Sequence, residues 1–122
     1  MATQQPGFRI GHEDAAADLS AKQFFCVKFT STGVNLAGTG EAIDGILQDK
    51  PVSGQPADVM VTGVSKIVAS AALAKGALVS CDAAGKAKAA ATTEYIIGRL
   101  LEASGADGDV VSVSITRPGR LA

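Results

Sequence analysis

The sequence predicts an all-β fold. The expected form is a small β-barrel or β-sandwich of short antiparallel strands, with at most one short helix (about 70–75) and an extended N-terminal arm. Three observations carry this. Apolar and polar residues alternate at period two in several short runs, while helical periodicity is nearly absent. Turn signals rich in Gly, Pro, Asn and Asp punctuate the chain every eight to twelve residues or so. Finally, one strand–loop–strand plan occurs twice. An apolar run at 42–47 contains Gly45, a Pro/Gly connection follows at 50–57, and Val59, Met60, Val61 and Thr62 alternate. The run at 95–101 contains Gly98, a polar turn follows at 103–109, and residues 110–115 alternate. Gly45 aligns with Gly98, and Val59 with Val111 after a one-residue shift. In both units the Gly marks a strand that must bend or be closely approached. The repeat is either a duplication or two hairpins obeying one rule.

Taken in order, residues 1–17 carry only Phe8 and Ile10 as sizeable apolar anchors, and Pro6-Gly7 signals a kink. This segment is either a frayed terminus or an extended arm that orders against a partner. Residues 18–116 form the β-rich domain, and residues 117–122 a basic tail without structure. The aromatic and β-branched run 24–30 is a strand, with Phe25, Val27 and Phe29 on one face and Phe24 and Cys26 on the other. It is therefore buried on both sides for part of its length. A turn at 31–33 leads to a short return strand at 34–36. Gly63 marks a bulge or corner in the strand that runs on from Val59, and a bulge between Val64 and Ile67 would restore a single apolar face. Residues 70–76, with Ser70 as N-cap, an Ala-rich interior and Gly76 as stop, are the best helical candidate. Residues 77–81 form a strand, 82–85 a tight turn, and 86–90 a return strand whose lysines alternate outward as edge protection.

The chain has 122 residues, 47% hydrophobic but only 4% aromatic and without Trp, so its core is built largely of Ala and Val. Small side chains bury little area each, at roughly 25 cal/mol per Å², and association would add buried surface. Eleven basic and twelve acidic residues give a net charge of −1. That balance supplies no electrostatic footprint for nucleic acid and no basic face for anionic lipid. No stretch is long and apolar enough to span a membrane as a helix, and the N-terminus lacks the order of a signal peptide. The chain is expected to be made in the cytoplasm.

No catalytic constellation emerges. His12 is the only histidine, so a Cys–His dyad would have to pair it with Cys26 or Cys81 from the least structured part of the chain. The two cysteines form no CxxC. They read as small core residues in a reducing compartment, and a disulfide between them is a question of geometry. Asp107 and Asp109 flank Gly108 as turn formers and lack the rest of a calcium loop. Glu41, Asp44 and Asp49 read as solvated rims. Gly38 and Gly40 lack the third Gly and the helix of a phosphate loop. Neither a cofactor, a metal nor an enzymatic activity is expected.

Several stretches carry a family likeness: residues 18–24, 40–51 (Gly-Glu-Ala-Ile-Asp-Gly-Ile-Leu-Gln-Asp-Lys-Pro), 61–66, the hairpin 80–86, and 98–108. Across residues 18–116 the sequence resembles the capsid decoration (cement) proteins of tailed bacteriophages, while the N-terminal segment departs most from that pattern. The resemblance implies a β-barrel-like protein that forms homotrimers on the outer surface of the virion capsid. Such trimers sit at three-fold and quasi-three-fold sites of the expanded head, bridge major capsid protein subunits and stabilise the shell against internal DNA pressure. An N-terminal arm would contact capsid protein or a neighbouring decoration protein through Phe8, Ile10 and His12. The alternative reading is a carbohydrate- or cell-surface-binding β-module displayed on the virion. Against it, a sugar site wants an exposed aromatic platform, and Tyr95 is the only Tyr.

Overall fold

A computed structural model gives the fold and describes residues 7–11 and 14–120, with side chains as far as Thr116. Among the described residues, the short runs become nine strands and no helix. They are β1 (Phe8–Ile10), β2 (Cys26–Thr30), β3 (Gly33–Leu36), β4 (Gly45–Leu47), β5 (Val59–Val68), β6 (Leu78–Cys81), β7 (Ala87–Ala89), β8 (Tyr95–Leu100) and β9 (Val110–Arg120). All pairings between them are antiparallel, in the order β3-β2-β4-β5-β9-β8-β6-β7, with β1 also on β5. The all-β expectation holds.

The long strand β5 belongs to two half-sheets. Its first residues pair with β4 (Ile46↔Met60, Leu47↔Val59) and with β1, and Gly63 to Val68 pair with β9. Each half curls back on itself. In the first, Ala15 bridges Val34 of β3; in the second, Ala69 bridges Ala87 of β7. The result is two barrel-like halves that share one strand.

Alternation along the central strands feeds two cores. Val27, Leu47, Val59 and Val61 join Ala15, Leu19 and Val34 in the first core. Their chain neighbours Cys26, Ile46 and Met60 join Ile67, Val79, Cys81, Leu100, Val113 and Ile115 in the second. The sheet β2–β4–β5 is thus buried on both faces, as the aromatic and β-branched composition of residues 24–30 suggested. Met60 and Ile67 lie in the same core although seven positions apart, which strict period two forbids. The phase changes at Gly63, whose φ of +117° is open to Gly but costly to a side chain. The corner is therefore at Gly63 itself. From Gly63 to Val68 the register on β9 is unbroken, so no bulge separates Val64 from Ile67.

The paired glycines of the two hairpins mark close approaches. A Cβ on Gly45 would lie 2.5 Å from Met60 O and from Val59 Cγ1, and one on Gly98 would collide with Ser114 O. The register between the units differs from the alignment that the sequence suggested: it matches Val59 with Val113, two positions beyond Val111. Leu100 faces Val113 in β8–β9, whereas Leu47, its counterpart by the Gly45–Gly98 alignment, faces Val59 in β4–β5.

Four local readings change. Residues 70–76 are not helical, because tertiary hydrogen bonds take their polar groups. The Ser70 amide and hydroxyl both donate to Ala87 O (2.8 Å each), and Leu73 and Ser104 exchange backbone hydrogen bonds of 3.2 and 2.9 Å. A helix of under two turns cannot compete with that. Strand β2 begins at Cys26 because Phe24 adopts φ 68°, donating its amide to Leu47 O (2.7 Å) and accepting from Val68 N (3.1 Å). The lysines of 86–90 do not guard an open edge: Ala69 bridges β7, and Lys86 and Lys88 pair with Asp107 and Glu94 at 3.0 and 2.7 Å. Finally, β9 continues to Arg120 instead of ending in an unstructured tail; Gly119 faces Ile96 and Arg120 faces Tyr95.

Both cysteines are free and buried in the second core. Burial pushes the Cys81 thiol up to about 11 and the Cys26 thiol well above its ordinary value. Cys81 Sγ donates to Gly38 O at 2.7 Å.

Two outcomes follow. Gly98→Ala should cost more than about 2 kcal/mol in urea unfolding, as overpacking against backbone does. Gly11→Ala, whose Cβ would meet nothing within 4 Å, should stay within about 0.5 kcal/mol. At pH 8 neither thiol should react with iodoacetamide in the folded protein, whereas both should react in urea; fast native labelling would contradict the burial.

Candidate functional site

The carboxylates that the sequence offers for chemistry have structural partners. Glu41 accepts from Lys28 Nζ (2.9 Å) and from the Gly38 amide, and these hydrogen bonds hold its carboxyl below the usual range. Asp44 accepts the Phe29 amide at 2.8 Å, and Asp49 the Asp58 amide at 3.2 Å. Asp109 caps the 103–109 turn by accepting the Gly105 and Ala106 amides at 2.7 and 3.1 Å. In residues 37–41 the Ala37 amide donates to Cys26 O, the Gly38 amide to the Glu41 carboxylate, the Gly40 amide to Cys81 O and the Glu41 amide to Gly38 O, so these four amides are taken within the protein. Among the described residues no three His, Cys, Asp or Glu side chains converge on a point that could hold a metal ion. No helix among the described residues is long and apolar enough to cross a membrane.

What remains is surface. The N-terminal segment is laid onto the first half. Arg9 pairs with Met60 and Ile10 with Val59, and Arg9 Nη1 meets Asp58 Oδ2 at 2.8 Å. With both side chains about a third or more exposed, that pair contributes little, on the order of 1 kcal/mol or less. Ile10 packs against the first core, whereas Phe8 is 64% exposed. A register shift between Phe8 and Arg9 separates these two residues, which simple alternation would place on one face. His12 lies outside the described residues. Farther along, the segment is part of the domain. The Ala15 amide donates to Gln55 O and the Val34 amide to Asp14 O, both at 2.8 Å, and Ala15 is 3% exposed. The boundary expected at 17/18 thus runs through bonded chain.

A second surface was not singled out from the sequence. Val79, Leu100, Val111 and Val113 face the second core, so Leu78, Leu101 and Val110 point away from it. All three are about two-fifths exposed. Beside them the loops 70–77 and 101–109 are stapled by the Leu73–Ser104 bridge, by Ser104 Oγ donating to Ala71 O at 2.7 Å, and by the Leu73 amide donating to Ser104 Oγ at 2.8 Å. Ala71, Ala72, Ala74, Ala103 and Ala106 are exposed there. The signal was available. In Val110-Val111-Ser112-Val113-Ser114-Ile115, Val110 is the apolar residue out of phase with the inward set.

Each half therefore displays apolar side chains to solvent, Phe8 on one and the Leu78–Leu101–Val110 face on the other. Such displays fit attachment to other proteins.

Comparison with known proteins agrees. No curated protein matches the chain. Among solved structures it is similar to the N base of the head fiber gp8.5 of bacteriophage phi29, with a TM-score of 0.71 at 13% identity, over 94% of this chain and 99% of that one. At that identity the likeness concerns the fold. Over residues 4–115 the sequence matches the family described as phage cement protein. With most of its length inside that match, and a fold shared with a phage head-fiber base, the chain belongs to the phage cement protein family.

Proposed function

We propose that this protein is a capsid decoration protein that binds the outer surface of the expanded head as a homotrimer. It occupies three-fold and quasi-three-fold sites, bridges major capsid subunits and stabilises the shell against internal DNA pressure. It is not an enzyme. The observation that carries this reading is the family match over residues 4–115, which supports a capsid-associated role.

The physical features suit the task. A cement protein needs a stiff body and separate attachment surfaces, and here a strand common to two cores joins the halves. Each contact with the shell stays weak on its own. A trimer that links neighbouring capsomers gains from the high effective concentration of its second and third contacts. Preference for the expanded shell then follows from differential affinity for its surface, which shifts the shell toward that state. In this reading Phe8 and Ile10 guide the N-terminal segment onto capsid protein or a neighbouring decoration protein. Because Ile10 is already packed on the first core, Phe8 carries more of the contact.

Sedimentation with purified empty heads tests this. The protein should pellet with expanded heads and remain in the supernatant with unexpanded ones, and its mass in solution should be three times that of the chain. Equal binding to both shells, or none, would contradict the proposal. Phe8→Ala should weaken binding about tenfold, the size of a truncated interface anchor. Its folding stability should stay within about 0.5 kcal/mol, since Phe8 buries little in the free protein.

A further inference from the structure

The connection between β3 and β4 takes an indirect route. Both strands belong to the first half, yet residues 37–44 reach across to the second. Ala37 and Ile43 sit in the second core. Gly40 donates its amide to Cys81 O and accepts the Tyr95 amide at its carbonyl, both at 3.2 Å. This strap is one link between the halves outside the central sheet; the Cys26 amide, donating to Gly85 O at 2.8 Å, is another.

One side chain lies across the strap. Glu94 Cγ is 2.8 Å from where a Cβ on Gly40 would stand, so only Gly lets it pass. The Glu94 carboxylate takes both oxygens to Lys88 Nζ at 2.7 Å, and Oε1 also accepts the Ala91 amide at 2.8 Å. Between them the 91–94 turn closes with the Glu94 amide donating to Ala91 O at 3.1 Å. Inside that turn Thr93 has φ 71°, a left-handed conformation that a β-branched residue adopts only under constraint. A strained backbone, a charged side chain that holds it and a strap beneath that side chain are thus contiguous.

We propose that residues 91–94 and 37–44 form a conformational latch: the ionised Glu94, held by Lys88 and the Ala91 amide, keeps Thr93 left-handed and presses the strap onto the second half, and loss of that charge releases the strap. Strain in Thr93 favours the released state, and charge-assisted hydrogen bonds favour the closed one. The charged and titratable groups about the latch are Lys88 on β7, Glu41 on the strap with its partner Lys28 on β2, the Cys81 thiol under Gly38 with Asp82 beyond it, and the Tyr95 phenol next in the chain. The Lys88 and Ala91 hydrogen bonds hold the Glu94 carboxyl below its usual range. The closed state is therefore complete above the ordinary carboxylate value and is lost as pH falls through the lowered one.

Amide exchange at neutral pH tests the latch. Glu94→Gln should lower the protection of the Gly40 and Tyr95 amides on the order of tenfold, leaving Ile67 and Val113 in the sheet unchanged. Lys88→Met should do the same, and adding Thr93→Gly to either variant should restore protection by removing the strain. In the unaltered protein, protection factors at those two amides should fall in acid before those of the sheet. Wild-type protection at Gly40 and Tyr95 in both Glu94→Gln and Lys88→Met would overturn the latch, as would a failure of Thr93→Gly to restore it. If Glu94→Gln loses the whole sheet, Lys88→Met and the acid titration decide alone.

Discussion

The structure depends on one constraint: β5 must serve two cores at once. A strand has two faces, and a strand in a single sheet commits each to one environment along its length. In β5 the face that carries Met60 and the face that carries Ile67 are opposite by count, yet both side chains reach the second core. Gly63 makes that possible by stepping the backbone through a positive φ between the two paired segments. With the phase change in place, β4 and β1 hold one end of the strand and β9 the other, and neither half can complete its barrel without it.

The composition makes this sharing useful. A chain with few aromatics and many alanines and valines fills two narrow cores, where small residues allow backbones to approach. Gly45 and Gly98 take that to its limit, since neighbouring backbone occupies the place of their side chains. The polar interior is equally economical. Gln48 Nε2 donates to Ile46 O and to Ser65 Oγ, each at 2.9 Å, where the end of β4 meets the second half of β5, so buried amide and hydroxyl satisfy each other. A body built this way spends its acids and lysines on turns and cross-links. Phe8, Leu78, Leu101 and Val110 are among the large apolar side chains it leaves exposed.

Legibility followed the range of the interaction. Alternation is local, so Val111, Val113 and Ile115, the two-sided burial around Cys26 and Val27, and the close approach at Gly45 and Gly98 were readable from the sequence. Phe24 was not, because its left-handed backbone answers to Leu47 and Val68, distant in sequence. The Ser70–Gly76 stretch has the caps of a helix, but Ala87 and Ser104 supply better partners than a turn and a half of its own hydrogen bonds. Residues 14–17 read as arm because they are polar and Ala-rich; their fit against Val34 and Gln55 exists only once the first half has curled. For the candidate surfaces, Phe8 and Ile10 stood out as anchors in a polar segment. Their different burial depends on a register shift that no spacing announces.

The central claim is that two cores sharing β5 form one mechanical unit. Native-state amide exchange in rising urea measures it directly, by comparing amides of β2 in the first half with amides of β8 and β9 in the second. The account predicts that both sets converge on one opening free energy and one urea dependence, that of global unfolding. Separate openings, with one half exchanging at markedly lower free energy while the other stays protected, would contradict it.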